Sequence, residues 1–289
     1  MLAGSKTRSL KIVRKVMKIN IPEIKDIIAS ILGLKSTANG KIQTIEKWVD
    51  EQRKNIRHHK QWVENKSDEN DIKIITDLLP NLLMRSMRGE KGPLIEDELH
   101  KAINIKQDLN HDNYVSLLQR AGYRWGYQVG SQVMTDVVKI FENKYGWDFI
   151  LYFEEAERHA EYNFQTDTLL KVKNIGFKVR DLALSNFNPN YVANDLHIVR
   201  TTTRIGLWNY GFDLLGDDSL EMGTNPSNGK NYLFLHKLVL KLSKFTDSEY
   251  SPVDIDRILW HFGRSICKAK PECSVCPINK QCLTGKNKN

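Results

Sequence analysis

The last 23 residues of this chain hold all four of its cysteines, spaced C-x5-C-x2-C-x5-C at Cys267, Cys273, Cys276 and Cys282. Four thiols this close together form a ligand set for one compact tetrahedral object, and the loop must wrap around it. Three readings fit the spacing. A [4Fe–4S] cluster takes four thiolates. A structural zinc ion takes four as well, though more often from two separated C-x2-C knuckles. Two disulfides would also use all four. The first 18 residues carry six Lys/Arg, no acid and no apolar run of the secretory type, so a reducing, intracellular compartment is expected, cytoplasmic or nuclear, where disulfides are disfavoured. The single C-x2-C favours iron–sulfur over zinc.

The loop's charge suggests what it does. Arg264, Lys268, Lys270, Lys280, Lys286 and Lys288 surround the cysteines against one acid, Glu272. A metal-stiffened basic loop suits phosphate contact. The whole chain agrees in sign, with a formal charge of +8 and a pI near 9.1 over 289 residues. No run approaches the roughly 20 apolar residues that span a bilayer, so no membrane partner is expected.

Helical periodicity dominates the rest, and an all-α fold is expected. IPEIKDIIASILGL opens at Pro22 with Gly33 as a stop, and Lys41 to Val63 reads as a polar helix with His58 and His59 on an exposed face. ENKSDEND (64–71) reads as a linker and ITDLLPNLLMRSM as a buried helix. MRGEKGPL (87–94) marks a boundary between an N-terminal helical extension, 1–94, and a main domain, 95–289. Gly122, Gly126 and Gly130 form a stripe suited to close helix packing, and 209–232 reads as an inserted polar loop. Ser251, Pro252 and Asp254 start the helix that leads into the first cysteine.

Two segments in the middle carry chemistry. In KVKNIGFKVRDLALSNF, Asn174-Ile175-Gly176 is a tight turn between helices, with Lys178 two residues after the glycine. Backbone N–H groups at the start of the second helix can hold a DNA phosphate without reading sequence. Seventeen residues after Lys178 comes Asp195, in NDLHIVRTTTRIGL. Asp195 suits a helix N-terminus, and His197 and Arg200 share one face. Each of these has a plain structural reading: an N-cap, a core histidine.

In this order, the Gly-x-Lys hairpin, the D-x-H-x-x-R segment and the four-cysteine loop resemble the helix–hairpin–helix DNA glycosylases, specifically the iron–sulfur branch of endonuclease III and MutY. The likeness covers about residues 110–285, with one residue fewer than usual between the first two cysteines and Asn174 in place of a glycine. The resemblance implies two helical subdomains with a cluster loop at 267–282 and a [4Fe–4S] cofactor on the four cysteines. The implied partner is double-stranded DNA carrying a damaged or mismatched base, bound by a monomer. Asp195 would stabilise the sugar cation, and Lys178 would attack C1′ and form a Schiff base, giving AP lyase activity. Gln119 would probe the gap left by the flipped base. Asn174, Gly176, Arg180, Lys268 and Lys270 would meet DNA phosphates. A MutY-like enzyme that only removes the base, and a non-catalytic iron–sulfur DNA-binding protein, remain as rivals.

Overall fold

The structure, a computed structural model, describes residues 10–12, 23–38, 40–84, 91–162, 166–215, 220–222 and 229–286. Of the first 18 residues, with their six Lys/Arg, only 10–12 are among them. Among the described residues, twelve α-helices and four short strands follow in order: β1 Leu10–Ile12, α1 Ile24–Leu32, β2 Lys35–Ala38, β3 Lys41–Thr44, α2 Ile45–Glu64, α3 Asp68–Leu82, α4 Lys91–Ala102, α5 His111–Arg120, α6 Tyr127–Asn143, α7 Phe149–Tyr162, α8 Phe177–Leu184, α9 Leu196–Ile205, β4 Leu220–Met222, α10 Gly229–Lys244, α11 Pro252–Ser265 and α12 Leu283–Lys286. The class is helical as expected, with one correction. β2 pairs with β3, and β1 pairs antiparallel with β4, Leu10 opposite Met222. The polar helix expected from Lys41 therefore begins at Ile45. Lys41–Thr44 alternates polar and β-tolerant residues after Gly40, whose φ of 73° turns the hairpin.

The packing divides the chain elsewhere than near residue 94. One compact unit comprises Met1–Thr37, Ile42–Gln52 and Pro189–Asn289; the other comprises Ala38–Lys41 and Arg53–Asn188. The first is held by α1, α9, α10 and α11. On α1, Ile24, Ile27, Ile28 and Ile31 fall at i, i+3, i+4 and i+7 and all are buried, each worth about 1.5–3 kcal/mol on burial. They join one core with Ile198, Leu238, Ile258, Phe262 and two of the cysteines, Cys267 and Cys282. The α11 start is a capping box: Asp254 N–H donates to Ser251 Oγ at 3.4 Å, and Ser251 N–H donates to Asp254 Oδ2 at 2.9 Å.

The second unit packs α3 against α4 and α8, and α5 against α6. The expected linker shrinks to three residues, because Ser67 caps α3 by accepting from Asn70 N–H at 3.1 Å and Asp68, Glu69 and Asp71 fill the first turn. The glycine stripe splits in role. Gly122 and Gly126 lie at φ 64° and 90° in the α5–α6 turn. Gly130 alone is a packing glycine: a Cβ there would meet Leu118 Cδ1 and Tyr123 Cε1 at 2.8 Å.

His59 departs from its expected exposed face. It is 8% exposed, hydrogen-bonded through Nδ1 to Asn186 O at 3.0 Å and 3.7 Å from Asp77. Asn186 Nδ2–H donates to Asp77 Oδ2 at 3.0 Å, so α2, α3 and the end of α8 meet at one polar knot. Burial pushes the Asp77 carboxyl up, against the His59 charge. Glu96 is pushed up to about 7 by burial, and by the Asp77 and Asp97 charges. Unfolded, Glu96 titrates near 4.5. The folded chain therefore keeps a proton that the unfolded chain loses, and this contribution fades as pH rises from about 4.5 through 7. Glu96→Gln is expected to flatten that decline and to raise stability at pH 8 by about 1–2 kcal/mol after solvent screening. Melting curves of both proteins between pH 5 and 8 check it; parallel curves contradict it.

Candidate active site

The hairpin turn lies in the second unit. Asn174 takes the left-handed conformation, φ 76°, and Gly176 does not: it is the N-cap of α8 at φ −113°. Asparagine tolerates φ > 0 better than most residues, which accounts for its place at this tight corner. A Cβ on Gly176 would meet nothing within 4 Å. The protein's own packing thus does not call for a glycine there. Asn174 and Gly176 are exposed and Lys178 is half-buried in the first turn of α8.

Arg180 corrects the sequence reading. It is 2% exposed, ion-paired with Asp181 and 3.4 Å from Asp167, both themselves buried. A guanidinium enclosed by two carboxylates cannot reach a phosphate; it holds α8 to the short 3-10 turn Thr168–Lys171, which Asp167 caps. Gln119 lies exposed near the end of α5. Close by in the chain, Tyr123, Trp125, Val129 and Val133 line a cavity of about 210 Å³ together with Leu82, Leu83 and Asn174. Trp125 is 44% exposed, with the Arg124 guanidinium 5.3 Å from its ring centroid. This aromatic loop was not singled out in the sequence. Its signal is Trp125 in a Gly-bounded turn: Tyr123 beside it is buried, while the tryptophan stays 44% exposed.

In the first unit, Asp195 is the N-cap of α9. Its Oδ1 accepts from His197 N–H at 2.7 Å and Ile198 N–H at 3.3 Å, and its Oδ2 accepts from Trp260 Nε1–H at 3.2 Å. It is 7% exposed. His197 Nδ1 lies 2.7 Å from Arg200 Nη2. Burial holds His197 below its ordinary value; Asp195 opposes this, and Arg200 and Arg264 reinforce it. The α9–α11 contact is close at Gly263, where a Cβ would sit 3.1 Å from His197 Cβ and Thr201 Cγ2. Gly263→Ala is expected to destabilise the protein by about 1–3 kcal/mol through overpacking, measured by chemical denaturation; an unchanged midpoint contradicts it.

The same helix grips the cysteine loop. Arg200 donates to Cys267 O at 2.9 Å and to Gly263 O at 2.8 Å. Arg204 donates to Ala269 O at 3.0 Å and lies 3.7 Å from Cys267 Sγ. All four thiols are unbridged and line one small cavity with Arg204, Phe262, Ile266 and Pro271. Among the described residues, no three of His, Cys, Asp or Glu converge on a point that would hold one metal ion. Lys268 and Lys270 are exposed at the loop's start, Lys268 2.6 Å from Glu272.

The chain matches no protein-family model and no curated protein. Among solved structures it resembles a thermostable thymine-DNA glycosylase, at 15% identity and a TM-score of 0.53, over 92% of this chain and 97% of that one. A trapped endonuclease III–DNA covalent intermediate, an estranged-adenine complex, aligns at 18% identity and a TM-score of 0.48, over 83% of this chain and 98% of that one. A match over 92% of the chain reaches well into residues 1–94, in keeping with the two units described above. The chain has the fold of the helix–hairpin–helix DNA glycosylases.

Proposed function

We propose that this chain is a DNA glycosylase of base-excision repair that also cuts at the resulting abasic site. The observation that carries the reading is Asp195: a carboxylate anchored at three N–H donors at the start of α9, within a DNA-glycosylase fold. A fixed anion of this kind stabilises the positive charge that develops on deoxyribose as the glycosidic bond breaks, and it needs no reorganisation to do so. The flipped base leaves from C1′. Lys178 Nζ bonds to that carbon as the base departs with its electron pair, giving a Schiff base after ring opening. Loss of the 2′ proton then expels the 3′ phosphate and nicks the strand.

Phosphate contact falls to the turn at Asn174 and Gly176, exposed before α8, and to Lys268 and Lys270. Gly176→Ala is expected to leave the fold intact, since a Cβ there meets nothing within 4 Å, yet to weaken duplex binding by crowding a phosphate out. Titration of a labelled duplex checks this; equal affinity contradicts it. The cavity beside Asn174 offers the exposed Trp125 as a stacking surface for an unpaired base, with the buried Tyr123 as part of its wall. Gln119, exposed on α5, probes the gap.

The four thiols suit a [4Fe–4S] cluster: unbridged, around one cavity with apolar walls, with the Arg204 guanidinium beside Cys267 Sγ. The cluster would supply rigidity to the loop. A brown colour with iron and sulfide in the purified protein supports this assignment; zinc alone overturns it.

Borohydride trapping tests the lyase step on duplexes that each carry one lesion or mismatch. A covalent adduct with the wild type, absent with Lys178→Gln, is the expected result. Alkali-labile sites without any adduct would instead assign a glycosylase that only removes the base.

A further inference from the structure

We propose that Trp260 is a positioning residue for Asp195, its indole N–H fixing the carboxylate oxygen that the helix cap leaves over. The inference rests on the assignment of Asp195 to the glycosylase step. Two donors on α9 hold Oδ1, at 2.7 and 3.3 Å, and both belong to the backbone. Both act on the same oxygen and from the same helix. Trp260, on the neighbouring α11, donates to Oδ2 at 3.2 Å, so both oxygens are held and the group is fixed from two helices at once.

The tryptophan is itself clamped. The Arg264 guanidinium sits 4.6 Å from its ring centroid, and His261 packs against it edge-on, 4.8 Å away at 88°. His261 in turn bonds through Nδ1 to Ser36 Oγ at 2.8 Å and stacks on Trp48 at 5.1 Å and 18°. Burial holds its imidazole down at about 3, so it packs as a neutral ring and brings no titrating charge to the cluster. On the other side His197 lies edge-on to Trp260 at 6.1 Å. A chain of rings from Trp48 through His261 thus ends in one N–H aimed at Asp195. A group that stabilises charge by its position gains most from such fixing.

Trp260→Phe keeps the ring and removes the donor. The expected result is base release slowed about tenfold to a hundredfold, the worth of one hydrogen bond to a charged group, with KM for the duplex unchanged. In an Asp195→Asn background the same change is expected to have no further effect, because the carboxylate it positions is gone. A merely structural tryptophan would reduce both backgrounds by the same factor, and that result, or full activity of the Phe variant, would overturn the proposal. A second readout does not need catalysis. The Trp260 indole N–H resonance, assigned by its absence in Trp260→Phe, is expected to move upfield in Asp195→Asn; an unmoved resonance overturns the contact. If the wild type releases no base from any duplex, the glycosylase reading fails, and the resonance alone then decides whether Trp260 holds Asp195.

Discussion

Asp195→Asn is expected to slow base release by about a hundredfold to a thousandfold, the range for loss of a preorganised charge-stabilising group. The choice of asparagine matters. Asn is as good an N-cap as Asp, so His197 and Ile198 keep an acceptor and α9 keeps its start. The loss of rate should therefore come with the cap intact and with only the stability cost of the Trp260 indole N–H that loses its acceptor, whereas Asp195→Ala should cost about 1 kcal/mol more through the missing cap. Lys178→Gln should behave differently. It removes the amine that captures C1′, so strand nicking disappears, while base release depends on whether water can take its place. Single-turnover assays on one good substrate, scored with and without alkali, separate the two. Equal loss of both signals in both variants would contradict the division of labour.

Arg180→Met is the substitution with the largest expected effect on stability. Arg180 is buried with Asp167 and Asp181, and removing it strands two carboxylates away from water. Breaking a buried pair in this way destabilises by about 3–5 kcal/mol, which for a chain of this size lowers Tm by roughly 10 °C. Lys178 rides on the same helix two residues earlier, so the ion cluster also sets where that amine points. A melting temperature within about 2 °C of the wild type would show that the cluster is not a fastening.

Much of this was legible in sequence where the signal is local. Helix starts declare themselves through short-range chemistry: Ser251, Pro252 and Asp254 were read from spacing alone, and the capping box is there. So is the tight turn at Asn174-Ile175-Gly176, with its left-handed residue at Asn174 and not at the glycine, and the sharing of one face by His197 and Arg200. What was missed depends on distant partners. Arg180 reads as a phosphate contact, yet it and Asp181 are inside because Asp167 comes back to meet them. His59 looked like one more cation in a basic run, until Asn186, 127 residues away, closed over it. Trp260 is 65 residues from Asp195, and nothing in either segment announces the pairing. The core of α1 is hidden for the same reason: its four isoleucines pack among residues of the C-terminal third of the chain. Local periodicity gives elements, and only long-range packing says which of them belong together.

The measurement that tests the central claim most directly is single-turnover base release from a panel of duplexes, with the freed base identified by mass. The account predicts that at least one oxidised, deaminated or mismatched base appears in solution with the wild type, and that Asp195→Asn suppresses it. Tight duplex binding by a folded protein that frees no base from any member of the panel would contradict the account and leave a DNA-binding protein in a glycosylase fold.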